Sequence, residues 1–215
     1  MITLISMTER TINTKKDLEE GIHFLSHRDP ILCGVIDRDK ISLTKRTVGF
    51  SALLKTIVSQ QLSTSAASKI WQRIVDSNLD TQENIHRVED KQLLGLGLSR
   101  QKCSYARALA EANIDYMLLG KLDSDQVIKQ LIEIKGIGRW SAQIYCMFSL
   151  ARGNIFPSGD LALQEAIRVL LKLESRPNIK EVDEISERWA PWKTIAALVL
   201  WGFYSNQKKK EGVLW

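Results

Sequence analysis

Between Pro30 and Pro157 the 215-residue chain contains no proline. Proline lacks an amide donor and clashes with the preceding helical turn, so its long absence leaves continuous helix as an open solution for the backbone. Hydrophobic periodicity points the same way. Phe50, Leu53, Leu54, Ile57 and Val58 follow the i, i+3, i+4, i+7, i+8 spacing of one apolar helix face. The polar stretch Ser59–Thr64 interrupts it. Ala66, Ala67, Ile70, Trp71, Ile74 and Val75 then resume a second helix, for which Ser63, Thr64 or Ser65 would serve as cap. Gly95-Leu96-Gly97 reads as a turn, with Ser99 capping a helix through Leu109, and Val127, Ile128, Leu131 and Ile132 form a face after Asp123-Ser124. Later helices are expected near Leu161–Leu173, Ile179–Trp189 and Lys193–Tyr204, with Pro191 near the start of the last. No segment shows sustained period-two alternation. The fold class is all-α.

Composition bounds the function classes. With 44% hydrophobic and 26% charged residues, the chain is a globular protein rather than a disordered or fibrous one. The net charge of +5 permits a polyanionic partner without requiring one. The three cysteines, Cys33, Cys103 and Cys146, are widely spaced, which excludes a clustered zinc or iron–sulfur framework and argues against a secreted disulfide scaffold. The first residues, MITLISMTERTINTKK, have no basic region ahead of an apolar run, so no standard signal peptide is expected. The most apolar stretch, Ile195–Tyr204, is too short to span a bilayer. These features predict an intracellular protein with no membrane partner. His23 and His27 share a helix face without an acidic partner and read as a surface pair, and Lys208-Lys209-Lys210 reads as a solvated tail.

The most informative run is Leu131–Ala142, LIEIKGIGRWSA. One helix ends at Gly136-Ile137-Gly138 and another begins at once. Glycines permit positive φ and close approach of backbone to a ligand, and the new helix presents amides suited to a phosphate. Lys135 and Arg139 flank the turn. The run fits a helix–hairpin–helix that grips a nucleic-acid backbone without reading sequence, and it equally fits a tight αα-turn built for packing. Twenty residues beyond Trp140, Phe156-Pro157-Ser158-Gly159-Asp160 precedes an apolar helix. Asp160 suits a plain N-cap, and it also suits glycosidic-bond chemistry.

Together these runs resemble the helix–hairpin–helix DNA glycosylase superfamily, within it the 3-methyladenine DNA glycosylase II branch. Ile57–Ser63 (IVSQQLS), Gly97–Lys102 (GLSRQK) and Trp189–Trp192 (WAPW) add to the resemblance, in family order, from about residue 45 to 204. The resemblance implies that Asp160 is the catalytic aspartate and that Gly136, Ile137, Gly138, Arg139 and Lys135 hold DNA. It places Trp140 and Trp192 as walls of a base pocket, with Tyr145 beside Ile144 near the position where relatives carry a tyrosine. Gln61 falls where the family inserts a side chain into the duplex. Apart from the resemblance, Ser63 is a further candidate DNA contact, and Lys102, with Arg100 at a helix start, reads equally as a phosphate contact or as solvated.

Members that also cut the strand carry a lysine where Trp140 stands, and an indole cannot form the Schiff base. The expected activity is therefore removal of alkylated purines alone, by base flipping and hydrolysis of the N-glycosidic bond. No metal and no cofactor is required, because alkylation already activates the leaving group. The expected partner is double-stranded DNA with alkylated bases, and the expected state a monomer, cytoplasmic if bacterial and nuclear if eukaryotic. The alternative is a non-catalytic damage-recognition module with Asp160 as a mere cap. The resemblance also implies two helical lobes with a cleft between them. Residues 1–44 with 151–215 would carry the aspartate and 45–150 would end in the hairpin, without the extra β-rich domain of larger members.

Overall fold

The computed structural model describes residues 9–210, with side chains through Lys208. Half of the stretch behind the expectation about a leader, residues 1–8, thus lies outside the described residues. The helices are α1 (Lys15–Arg28), α2 (Pro30–Cys33), α3 (Phe50–Ser59), α4 (Thr64–Asp76), α5 (Gln82–Arg87), α6 (Asp90–Gly95) and α7 (Arg100–Glu111). They continue with α8 (Tyr116–Leu119), α9 (Ser124–Ile132), α10 (Arg139–Phe148), α11 (Leu161–Leu170), α12 (Ile179–Ser186) and α13 (Lys193–Lys210). A 3₁₀ turn, Glu187–Trp189, follows α12. Among the described residues no strand forms; a lone β-bridge joins Thr11 to Arg152. The fold is all-α, as the periodicity predicts, and no helix is long and apolar enough to cross a membrane. Chain contacts divide it into two units, Arg46–Leu150 and the segments on either side.

In the unit Arg46–Leu150, the predicted face of α3 is the core: Leu54, Ile57 and Val58 have no exposed surface. Ser63 caps α4 by accepting from the Ala66 amide, and Ser99 caps α7 by accepting from Lys102. Asp123 and Gln126 form a reciprocal capping box on α9. The short helices α5, α6 and α8 lie in segments whose periodicity is too brief to announce them.

In the other unit, residues 10–12 run beside 151–153. The Ile12 amide donates to Ala151 (2.8 Å) and the Gly153 amide to Arg10 (2.7 Å). Fully buried Thr194 at the start of α13 completes this seam, its hydroxyl donating to the Arg152 carbonyl at 2.6 Å. Gly21 lets α1 settle on α13. A Cβ there would stand 2.2 Å from Ile195 Cδ1 and 2.9 Å from the Trp192 ring. Helix α13 runs through Lys210, so the lysine run is helical rather than a frayed tail.

Candidate active site and nucleic-acid interface

The hairpin joins α9 to α10. Gly136 has φ +94° and lies against Tyr105, whose Cγ would be 2.2 Å from any added Cβ. Both the torsion and the approach require glycine here. Ile137 is buried, 3% exposed, so it anchors the turn in the core rather than presenting a side chain to DNA. Gly138 is the N-cap of α10 and has no side chain to cap the first turn. Gly138, Arg139 and Lys135 are exposed, and Lys135 Nζ donates to Ser104 Oγ at 3.1 Å. Trp140 follows in the first turn, half-buried.

Beside the hairpin in the same unit is the turn between α3 and α4. Gln60 Nε2 donates to the Gly136 carbonyl (2.9 Å) and to Ser141 Oγ (3.2 Å). Gln61, next in sequence, is exposed and held at φ +55°. Ser63 is exposed too, with its hydroxyl engaged in the α4 cap. Lys102 departs from its expected role. Its Nζ donates to the Val58 carbonyl at 2.6 Å, and burial holds its pKa below the usual lysine value. In the structure it serves the C-terminal end of α3.

Asp160, in the other unit, is the N-cap of α11. Its Oδ1 accepts from the Ala162 amide (3.0 Å), the Leu163 amide (3.1 Å) and the indole N–H of Trp201 (3.1 Å). The loop before it is braced. The Asp160 amide donates to Pro157 O, the buried Gln164 donates to Ser158 O at 2.9 Å, and the Ser158 hydroxyl donates to Asp183 Oδ1.

Two aromatic expectations need correction. Trp192 is 2% exposed, packed by Gly21, with the Arg10 guanidinium 5.3 Å from its ring centre. Tyr145 is likewise 2% exposed; its hydroxyl accepts from the Gly49 amide, and burial raises its pKa. Neither ring can stack on a base without opening the core. The indole that does touch Asp160 is Trp201. It sits within Ile195–Tyr204, a run whose apolar composition signals only core. Its half-buried state is the distinguishing mark, and that appears only in three dimensions.

No cluster of three or more His, Cys, Asp or Glu positioned to hold a metal occurs among the described residues. His23 and His27 stack at 4.3 Å, with His27 Nδ1 2.8 Å from the His23 carbonyl.

A hairpin of this form followed by a braced, indole-bonded aspartate defines a class. The chain belongs to the HhH-GPD superfamily of base excision DNA repair proteins, whose family model matches residues 54–191. It is 32% identical over 161 residues to DNA-3-methyladenine glycosylase 1 of Schizosaccharomyces pombe, covering 71% of each chain. It is 30% identical over 165 residues to the putative DNA-3-methyladenine glycosylase YfjP of Bacillus subtilis, covering 71% of this chain but only 58% of that protein. Among solved structures, the complex of an S. pombe 3-methyladenine DNA glycosylase with abasic DNA has a TM-score of 0.74 and 28% identity, over 86% of this chain and 94% of that one.

Proposed function

We propose that this protein is a monofunctional DNA glycosylase that flips alkylated purines of the 3-methyladenine type out of duplex DNA and hydrolyses their glycosidic bond. The observation that carries the reading is Asp160: a carboxylate fixed by two backbone amides and the Trp201 indole N–H, in a chain of this superfamily.

Alkylation at a purine ring nitrogen leaves a cationic base that departs readily. As the bond to C1′ breaks, positive charge develops on the sugar. A carboxylate already oriented by three donors stabilises that charge without reorganising at the moment of reaction. Trp140 stands where strand-cutting relatives carry lysine, so the reaction ends at the abasic site. Gly136, Gly138 and the exposed Lys135 and Arg139 supply the phosphate grip, and Gln61 the side chain inserted into the gap. A DNA substrate places the protein in the compartment that holds the genome.

The test is release of free 3-methyladenine from methylated duplex, with a gel for strand breaks before alkali. The wild type should release base and leave the strand whole. Asp160→Asn keeps the cap but loses the charge, and excision should fall roughly 10²–10³-fold. Near-normal release by the asparagine variant would end the assignment of Asp160, and breaks without alkali would end the monofunctional reading.

A further inference from the structure

Gln61 sits in a left-handed conformation that is unfavourable for a non-glycine residue and persists only where its surroundings over-determine it. Asparagine, aspartate and glycine are the usual occupants of φ near +55°; a long glutamine side chain is not. Three contacts fix the turn around it. Lys102 Nζ holds the Val58 carbonyl before it, and Ser63 starts the α4 cap after it. Gln60 contributes most. Its single amide places N–H bonds on both the Gly136 carbonyl and the Ser141 hydroxyl, 76 and 81 residues away. Gly136 is the hairpin glycine seated on Tyr105, and Ser141, 4% exposed, lies one residue after Trp140 on α10. Adjacent identical residues thus point opposite ways: Gln60 inward to the hairpin, Gln61 outward to solvent.

We propose that Gln60 is a positioning residue that couples the turn bearing Gln61 to the phosphate-gripping hairpin, so that gripping the backbone and parting the bases occur as one preset operation. The proposal rests on the duplex-binding reading above, not on the chemistry at Asp160. Rigid coupling means the ordering cost of the Gln61 turn is met during folding and not on binding. Gln60 acts through Gln61 and touches no reacting atom.

The test uses the full chain and a duplex with 2-aminopurine beside a tetrahydrofuran abasic analogue. Emission of 2-aminopurine rises on unstacking, and anisotropy reads binding on the same DNA. The wild type should raise the emission. Gln60→Leu keeps the side-chain bulk but removes both N–H donors. It should bind within about threefold of wild type yet show roughly tenfold less opened complex, the fold-change of one or two lost neutral hydrogen bonds. Gln61→Ala should show a similar loss, and the double variant should be no worse than Gln61→Ala alone.

Wild-type emission from Gln60→Leu would overturn the proposal, as would losses that simply add in the double variant. A parallel fall in opening, binding and melting temperature would reduce Gln60 to a packing residue. Should Gln60→Leu fail to fold, Ser141→Ala removes one acceptor and should give roughly threefold less opening at unchanged affinity; no change there overturns the coupling. A wild type that binds without raising emission also overturns it. Opening without release of alkylated base sinks the glycosylase reading and leaves the coupling intact.

Discussion

Helices α10 and α11 are both ten residues long, both start from an extended N-cap, and both begin just after a glycine-bearing turn. They differ in what stands at the cap. Gly138 brings no side chain to the first turn of α10, whereas Asp160 brings a carboxylate that occupies the first turn of α11. A helix start carries partial positive charge and donors in need of acceptors. Left uncapped, as at Gly138, it suits an anion from outside, which under the proposed function would be a DNA phosphate. Capped by Asp160, it holds its own anion in place and aims that charge at whatever develops beside it. On the proposed function, one structural motif would yield a binding element and a reactive element, with a single side chain deciding which.

The largest expected effect separates charge from capping at Asp160. Asp160→Asn and Asp160→Ala should both lose excision by roughly 10²–10³-fold. Only the alanine should also lose stability, by about 1 kcal/mol, because asparagine caps as well as aspartate does. Denaturant midpoints beside excision rates check this. Equal stability of the two variants would mean that the cap bonds contribute little, and the contrast with Gly138 would lose its energetic basis.

The two turns also differ in how strictly they need glycine. Gly136→Ala sets a Cβ 2.2 Å from Tyr105 Cγ at a left-handed φ, and should cost about 1–3 kcal/mol along with duplex affinity. At Gly159, in the Asp160 turn, the nearest atom to an added Cβ is Ile179 Cδ1 at 3.9 Å. Gly159→Ala should therefore be nearly neutral by melting temperature. A Gly159 variant as damaged as Gly136→Ala would show that both turns are backbone-limited and not distinguished by their caps.

Gly138→Asp makes the sharper exchange, giving α10 the cap that α11 has. The helix should be unharmed, since replacing glycine by aspartate at an N-cap changes stability by only a few tenths of a kcal/mol. Duplex affinity should fall roughly tenfold, and the slope of log affinity against log salt should shrink by about one phosphate contact. An unchanged salt slope would take the phosphate away from α10.

What could be read from the sequence divides along the same line. The Gly136-Ile137-Gly138 turn and Asp160 were legible because their geometry is encoded within a few residues: glycine spacing, a Pro-Ser-Gly turn, a cap before an apolar run. The periodicity of α3, α4 and α9 was legible for the same reason. Trp201 was not, because its bond to Asp160 spans 41 residues and its helix reads as uniform core. Trp192 was misassigned since an aromatic residue's identity carries no information on which way its ring faces; the absent Cβ of Gly21 decides that. Gln60 escaped notice because its neighbour has the same side chain.

Lys102 gives the smallest expected effect. At the start of α7, two residues after Arg100, it reads equally as a basic DNA contact or as a solvated charge. The structure has its ammonium on the Val58 carbonyl, partly desolvated, with a lowered pKa. Lys102→Met keeps most of the aliphatic stem and removes the charge. If the ammonium meets no phosphate, the salt slope of duplex binding should stay as in the wild type, whereas loss of a contact lowers it by about one. The lowered pKa supplies a second readout. Between the folded value and 10.5 the unfolded chain binds more protons at this lysine, so its contribution to stability rises with pH across that window. The wild-type minus Lys102→Met difference in stability should therefore increase slightly as pH climbs towards 10.5, while the buried tyrosines cancel in the subtraction. A flat difference together with a reduced salt slope would return Lys102 to the DNA interface.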